Sequence, residues 1–456
     1  MQIDLVKILS GINSINYSFP IFFLIIFFCG KTPAQQSDSI TAAIKFPFIV
    51  DSILVEGNDI TEEDIILREL TFQIGDTVSY ELLEYNQERI FSLGIFTKVE
   101  LIPFEEELKI ILIHVEESWY IYPIPFAELT DKDWNKISYG FYVVIKNFRG
   151  RNETIQTRAA FGYDPSFSLS YYKPTITKGS KIFFEAEASY QNAGNRSFTA
   201  EKLYGSEFDQ KFILAQILIG KRFGLFHWLS MNFNYNYVET PAFVPEIAAG
   251  NNRIDRFPSA GINYTYDTRD LIQFPKNGIM FQTSIQYKGW GINDINYSIL
   301  NLDFREYRNL IGDLYAKWRV AGRFGLGKKI PFYDYSFLGY AERIRGYFNV
   351  QEEGNESYIG SVEFFHPIIK DLNISFDWVP LLPKQLLRYR IALYTQLFAD
   401  TGTVRLKGEP ISIKKFNTGF GAGLTFLILP YNSVRLEYAS DEYGNPEFIF
   451  DIGVSF

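Results

Sequence analysis

From about Ser138 to the end of the chain, apolar and polar residues alternate with a period of two, one segment after another. Leu229–Val238 reads L-S-M-N-F-N-Y-N-Y-V, with Met231, Phe233, Tyr235 and Tyr237 on one face and Asn232, Asn234 and Asn236 on the other. Successive side chains of a strand point to opposite faces, so the pattern predicts strands with one greasy and one wet side. Val434, Leu436 and Tyr438 stand against Arg435 and Glu437 in the same way. In Phe448–Phe456, residues Phe448, Phe450, Ile452, Val454 and Phe456 share one face, opposite Ile449, Asp451, Gly453 and Ser455. A soluble sandwich also alternates, but here little helix is available to cover a sheet. The aromatic face is therefore expected to meet lipid, in a transmembrane antiparallel β-barrel over residues 138–456 of about 16 strands.

The segment Phe48–Glu117 has a different rhythm. Ile49–Val55 is a short β-type run ending at Gly57-Asn58. Thr61 is a candidate N-cap, and Glu62, Glu63 and Asp64 favour the positive end of a helix that follows it. Ser79–Ser92 carries Leu82, Leu83, Asn86 and Ile90 near helical spacing, and Gly94 ends it. Thr97–Leu101 and Leu108–Val115 are two strands joined by an acidic turn. The order β-α-α-β-β predicts a small α+β domain over 48–118, joined to the barrel by a linker over 119–137. Ahead of it, Phe19–Phe28 is an apolar run too short to span a bilayer, preceded by Lys7 and followed by Thr32-Pro33-Ala34. These features predict a signal peptide over residues 1–34. Bulky Ile26-Phe27-Phe28 before Cys29 argue against lipidation there.

Composition narrows the function. Aromatics make up 17% with charged residues at 21%, which suits a barrel greasy on one face only. A net charge of -9 and no basic stripe argue against nucleic acid as a partner. Cys29 is the only cysteine, and His114, His227 and His366 stand far apart. No disulfide framework, metal site, cofactor or catalytic constellation is therefore expected.

Several phrases carry a resemblance. "VEGNDI", "GDTVSYELLEYNQERIFSLGIF" and "VELIP" resemble a POTRA domain. Arg343-Ile344-Arg345-Gly346-Tyr347 is similar to the (V/I)-R-G-(F/Y) motif of the BamA/TamA superfamily of outer-membrane barrels. Phe398-Ala399-Asp400-Thr401-Gly402 is similar to its F-x-D-x-G strand. Asp267-Thr268-Arg269-Asp270 with Pro275-Lys276-Asn277-Gly278 is similar to its D-T-R-(D/N)…P-x-x-G element. Gly419–Leu424 and Asn147-Phe148-Arg149-Gly150 match glycine-rich and N-x-x-G places of the family. The chain has room for a single POTRA domain, fewer than the longest members carry.

The resemblance implies a bacterial outer-membrane location with the POTRA-like domain in the periplasm. It implies a loop folded into the lumen, with Arg345 against a wall bearing Phe398, Asp400 and Gly402. It implies a weak lateral seam between first and last strands, placed here at Ser138–Asn147 against Phe448–Phe456, with Gly140, Gly453 and Phe456 as its residues. The function implied is non-enzymatic insertion or translocation of polypeptides at the outer membrane. Partners would be membrane lipids, unfolded or secreted clients held on an edge strand near Phe96–Leu101, and accessory assembly proteins. A passive pore and a secretion channel dedicated to one protein are the alternatives.

Overall fold

The computed structural model describes residues 45–456 apart from 106, 130–133, 246, 341, 348, 349 and 381. The expected signal peptide and Cys29 lie outside those residues. The first domain runs β1 (Phe48–Ile49), β2 (Ser52–Glu56), α1 (Glu63–Leu67), β3 (Thr77–Val78), α2 (Tyr80–Phe91), β4 (Phe96–Glu105) and β5 (Lys109–Glu117). β5 is central, with β2 parallel on one side and β4 antiparallel on the other. The middle strand of the sequence order is thus an edge of the sheet. Ser79 caps α2, its Oγ accepting from the Leu82 N–H at 3.2 Å. Thr61 does not cap α1, which follows Glu62 without a side-chain cap. Its hydroxyl instead donates to Glu117 at 2.6 Å and accepts from Asn147 Nδ2 at 2.8 Å, tying the domain to the barrel.

The barrel is a 16-stranded sheet in which each strand pairs antiparallel with its neighbours. Its strands are β6 (Ile121–Leu129), β7 (Ile137–Phe148), β8 (Glu153–Gly162), β9 (Ser166–Lys173), β10 (Ile182–Gly194), β11 (Asp209–Phe223), β12 (His227–Glu239), β13 (Ile254–Asp267), β14 (Gly278–Lys288), β15 (Tyr297–Ile311) and β16 (Leu314–Gly327). A long loop carrying the short pair β17 (Ser336–Leu338) and β18 (Glu352–Gly354) follows. The sheet resumes with β19 (Glu356–Ser375), β20 (Arg388–Arg405), β21 (Asn417–Leu429), β22 (Asn432–Asp441) and β23 (Pro446–Ile452). Met231, Phe233 and Tyr235 are exposed on the outer wall, while Asn232 and Asn234 are buried on the inner one.

Three further expectations need correction. The barrel starts at Ile121, inside the stretch read as a linker. Pro123 and Pro125 and a two-sided apolar pattern masked this strand, and proline is tolerated there because β6 is an edge. Gly140 therefore does not lie at the seam: it sits on β7, paired on both sides, where a Cβ would stand 1.9 Å from the Ala159 carbonyl oxygen. The third concerns the carboxy terminus. β23 stops at Ile452, and Gly453, at φ +105°, turns the chain out of the strand. Val454 and Phe456 do not continue the lipid face. Phe456 is buried, its carbonyl accepts from Tyr307 at 3.2 Å, and Ser455 donates to Glu363 at 3.0 Å, so the last residues fold into the lumen.

The two domains share one hydrophobic core. Ile65, Ile66, Ile90 and Phe91 of the small domain are continuous with Leu271, Phe274, Phe365 and Tyr394 of the barrel. The turn between β13 and β14 delivers Phe274, whose ring centroid lies 4.6 Å from Tyr394 and 5.3 Å from Phe365. Barrel arginines meet acids around this core: Arg222–Glu69 at 2.6 Å, Arg390–Glu88 at 2.8 Å and Arg151–Glu62 at 2.6 Å.

Candidate functional site: a luminal loop seat and a lateral seam

The loop between β16 and β19 returns into the barrel and is pinned at three places. Asp334 meets Lys288 at 2.6 Å, Glu342 meets Arg319 at 2.9 Å, and Arg345 enters the densest cluster. Arg345 is 5% exposed. Its Nε and one terminal nitrogen grip Asp400 at 2.6 and 2.8 Å, and the other terminal nitrogen reaches Glu363 at 2.8 Å and Glu437 at 2.9 Å. Its guanidinium carbon stands 3.6 Å from the centre of the Phe398 ring. A planar five-donor fork matches this set, in which several carboxylates and a ring face converge on one cation.

Backbone space completes the seat. Three successive inner-wall positions of β21, Gly419, Gly421 and Gly423, are glycines: a Cβ on Gly419 would stand 1.8 Å from the Arg345 carbonyl oxygen, and one on Gly421 would stand 2.8 Å from the Phe398 ring. Gly402 similarly leaves room for Ile344, and Gly346 adopts φ +99°, the left-handed region where a side chain is strained. Ile344 is buried, Tyr347 packs against its cluster, and Arg343 is half-buried.

The cluster continues toward the end of the sheet. Glu437 also meets Arg435 at 3.2 Å, and Arg435 holds Asp451 of β23 at 2.5 Å and donates to the Gly453 carbonyl at 2.9 Å. Lys317 meets Glu363 at 2.8 Å and donates to Ser455 at 2.6 Å. A chain of ion pairs thus runs from the loop tip to the last strand. Beyond that strand the sheet stops: β6 and β23 are its two ends, and among the described residues no backbone pairing joins them. The expected seam residue Gly453 lies at this boundary, on the β23 side.

The strand-turn motif occupies a third place. Arg269 is clamped on Asp267 at 2.7 and 2.9 Å. The Asp270 carboxylate accepts the N–H groups of Leu271, Lys276 and Asn277, and Gly278 at φ +113° returns the chain to β14. Pro275 is buried in the same turn. These residues shape the turn that carries Leu271 and Phe274 into the shared core, and among the described residues no hydrogen bond or ion pair joins them to the Arg345 cluster.

Comparison with known proteins agrees with this architecture. A model described as the Omp85 superfamily domain matches residues 147–456, and one described as the surface antigen variable number repeat, a POTRA domain, matches residues 48–118. The chain belongs to the Omp85 superfamily. The outer membrane protein assembly factor BamA of Nitratidesulfovibrio vulgaris is 23% identical over 320 residues, covering 65% of this chain and 37% of that relative's length. Among solved structures, BamA from Haemophilus ducreyi lacking POTRA domains 1–3 superposes with a TM-score of 0.52 at 17% identity, covering 89% of this chain and 84% of that one. CdiB from Acinetobacter baumannii gives a TM-score of 0.47 at 14% identity, covering 89% and 73%.

As an Omp85 barrel the molecule lies in the outer membrane with its POTRA domain in the periplasm. The turns that touch the POTRA domain then mark the periplasmic mouth, and the loop bearing Arg345 starts from the opposite, outer end. Sequence reasoning paired Arg345 with Asp400 but missed Glu363, Glu437 and Lys317 as its companions. The signal for Glu437 was present: it shares the wet face of β22 with Arg435. Glu69, on the POTRA side, was also missed. Burial would raise its pKa, but the Arg222, Arg89 and Arg68 guanidiniums overcome that and bring it down to about 2.

Proposed function

We propose that this protein is a non-enzymatic machine that inserts or translocates polypeptide at the outer membrane, using the seam between β6 and β23. Superfamily membership supports insertion or secretion as the coarse activity. The observation that carries the finer reading is the missing ladder between first and last strands. In lipid an unsatisfied backbone group costs several kcal/mol. A client strand that supplies donors and acceptors there lowers the free energy, and this drives its addition to the sheet edge.

The loop seat has a part in this reading. The series Arg345–Glu437–Arg435–Asp451 stiffens β22 and β23 from the luminal side, so that β23 keeps its shape while unpaired. The connector between the POTRA domain and β6 is only Ser118, Trp119 and Tyr120, so tilting of that domain is transmitted to the seam strand. Clients would first be held along the β4 edge, although the Leu101 N–H of that edge already bonds Gln87 at 3.3 Å. A passive pore is less well supported, because the returning loop is seated on the inner wall and the POTRA domain packs against the periplasmic end of the barrel.

The test is reconstitution. The full chain in lipid vesicles is given a chaperone-held, unfolded outer-membrane barrel as client. Faster appearance of folded, protease-protected client than in protein-free vesicles is the expected result. Ion conductance with no acceleration of client folding would reject the proposal in favour of a pore.

A further inference from the structure

The seam edge of β6 has an unusual chemistry that the insertion reading alone does not require. The Lys146 N–H donates to the Tyr120 carbonyl at 2.7 Å, which sets the phase of the β6–β7 ladder. By alternation the backbone groups of Tyr122, Ile124, Phe126 and Glu128 face β7, and those of Ile121, Pro123, Pro125, Ala127 and Leu129 face the seam. Two successive seam-facing positions are therefore proline and carry no N–H. On the other side, the Gly453 N–H donates to the Ser433 carbonyl at 2.8 Å, so Pro446, Phe448, Phe450 and Ile452 face the seam. Pro446 again lacks a donor, and the Ile452 N–H is taken by the Asp451 carboxylate at 2.9 Å.

We propose that Pro123 and Pro125, with the Asp451 cap on Ile452, hold the periplasmic half of the seam unpaired as an entry slot for an extended polypeptide strand. The inference rests on the insertion reading and specifies where in the seam a guest strand begins. A guest can donate to the carbonyl oxygens of Pro123 and Pro125 but receives nothing from their nitrogens. It is gripped there by half a ladder, weakly enough to slide. Donors return toward the outer end of β6, from Ala127 onward, and Phe448 and Phe450 supply theirs on β23, so pairing is fuller farther from the periplasm, up to Pro446 at the outer end of β23. Proline at these positions also keeps β6 and β23 from closing on each other, the usual way natural proteins blunt an edge.

The experiment uses the full chain in lipid nanodiscs and its Pro123→Val/Pro125→Val variant, with each single change as a milder form. Heat-modifiable gel migration establishes that each barrel is folded. Amide hydrogen exchange at Phe448 and Phe450 is the readout. Each restored donor adds one cross-seam hydrogen bond from β6 to a β23 carbonyl, which favours the closed seam about fivefold, and the pair about thirtyfold, so exchange at Phe448 and Phe450 should slow by those factors. Unchanged exchange in folded variants overturns the proline inference, whatever clients do. A variant that zips its seam in this measurement yet inserts clients at the original rate instead rejects the seam as the route of insertion, and leaves the role of the prolines in seam closure standing.

Discussion

Replacing Arg345 with methionine isolates the loop seat. Methionine keeps much of the side-chain volume but removes the charge. Glu363 retains Lys317 at 2.8 Å and Glu437 retains Arg435 at 3.2 Å, so neither loses its only cation. Asp400 does: among the described residues its carboxylate is bonded by the Arg345 guanidinium and the Arg345 backbone N–H at 3.3 Å. It is 4% exposed, so the variant strands a buried carboxylate. Breaking a buried pair from one side costs about 3–5 kcal/mol. Because the loop remains pinned at Asp334 and Glu342, the cost falls on the tip, which should open without unfolding the barrel. Cleavage of a transiently open segment follows its open population. Trypsin should therefore cut after Arg343 roughly 10²–10⁴ times faster in Arg345→Met than in the parent, a range set by that cost. Adding Asp400→Asn removes the stranded charge and should recover most of the protection, and Arg345→Lys should fall between parent and methionine because lysine lacks the fork. Cleavage within threefold of the parent for Arg345→Met, or a double variant opening faster than the single one, would refute this reasoning.

Other consequences follow from the same geometry. Gly419→Val places carbon where the Arg345 carbonyl now sits, 1.8 Å away, and should raise tryptic cutting at the loop tip as Arg345→Met does, with the barrel still heat-modifiable on gels. Phe274→Ala removes a ring buried between Phe365 and Tyr394 and should weaken POTRA docking by about 3–5 kcal/mol, read as faster protease clipping near Ser118–Tyr120. Docking through Glu69 should depend on pH. Its folded pKa of about 2 lies below the usual value of 4.5, so its contribution is complete above pH 4.5 and fades as pH falls toward 2. Hydrogen exchange at the POTRA–barrel contact over that window should show the loss, and Glu69→Gln should reduce the pH dependence while lowering protection at neutral pH, the remainder belonging to acids such as Glu62, paired with Arg151.

Much of this architecture is legible in the residues because the membrane imposes a simple rule. Outward positions of β12 and β22 must be greasy, so Met231–Tyr237 and Val434–Tyr438 declare their faces without any knowledge of the fold. The pairing of Arg345 with Asp400 is legible only in part in this way: alternation puts Asp400 on the wet face, while the inward loop that brings Arg345 to it comes from the family resemblance. The elements that escaped obey other constraints. β6 is an edge whose inner face carries Tyr122, Ile124 and Phe126, and with two prolines it lacks the alternation of its neighbours. The inward turn at Gly453 leaves no trace in periodicity, because Phe456 in the lumen is as apolar as Phe456 in lipid. Glu363 and Lys317 join the cluster only through barrel closure, which brings strands distant in sequence around one loop tip. The D-T-R-D turn was found as a motif, but its role as a bracket for the POTRA domain depends on a docking that local sequence does not encode.

The claim on which the account stands is that β6 and β23 part to admit a guest strand. A set of cysteine pairs, one along residues 125–129 and one along 446–450, can be oxidised in the full chain, which has Cys29 as its only native cysteine. Client insertion into vesicles is then followed before and after reduction of the same sample. Insertion that stops when the seam is bonded and returns on reduction is the expected outcome. Insertion that proceeds at the same rate with the seam locked would contradict the account.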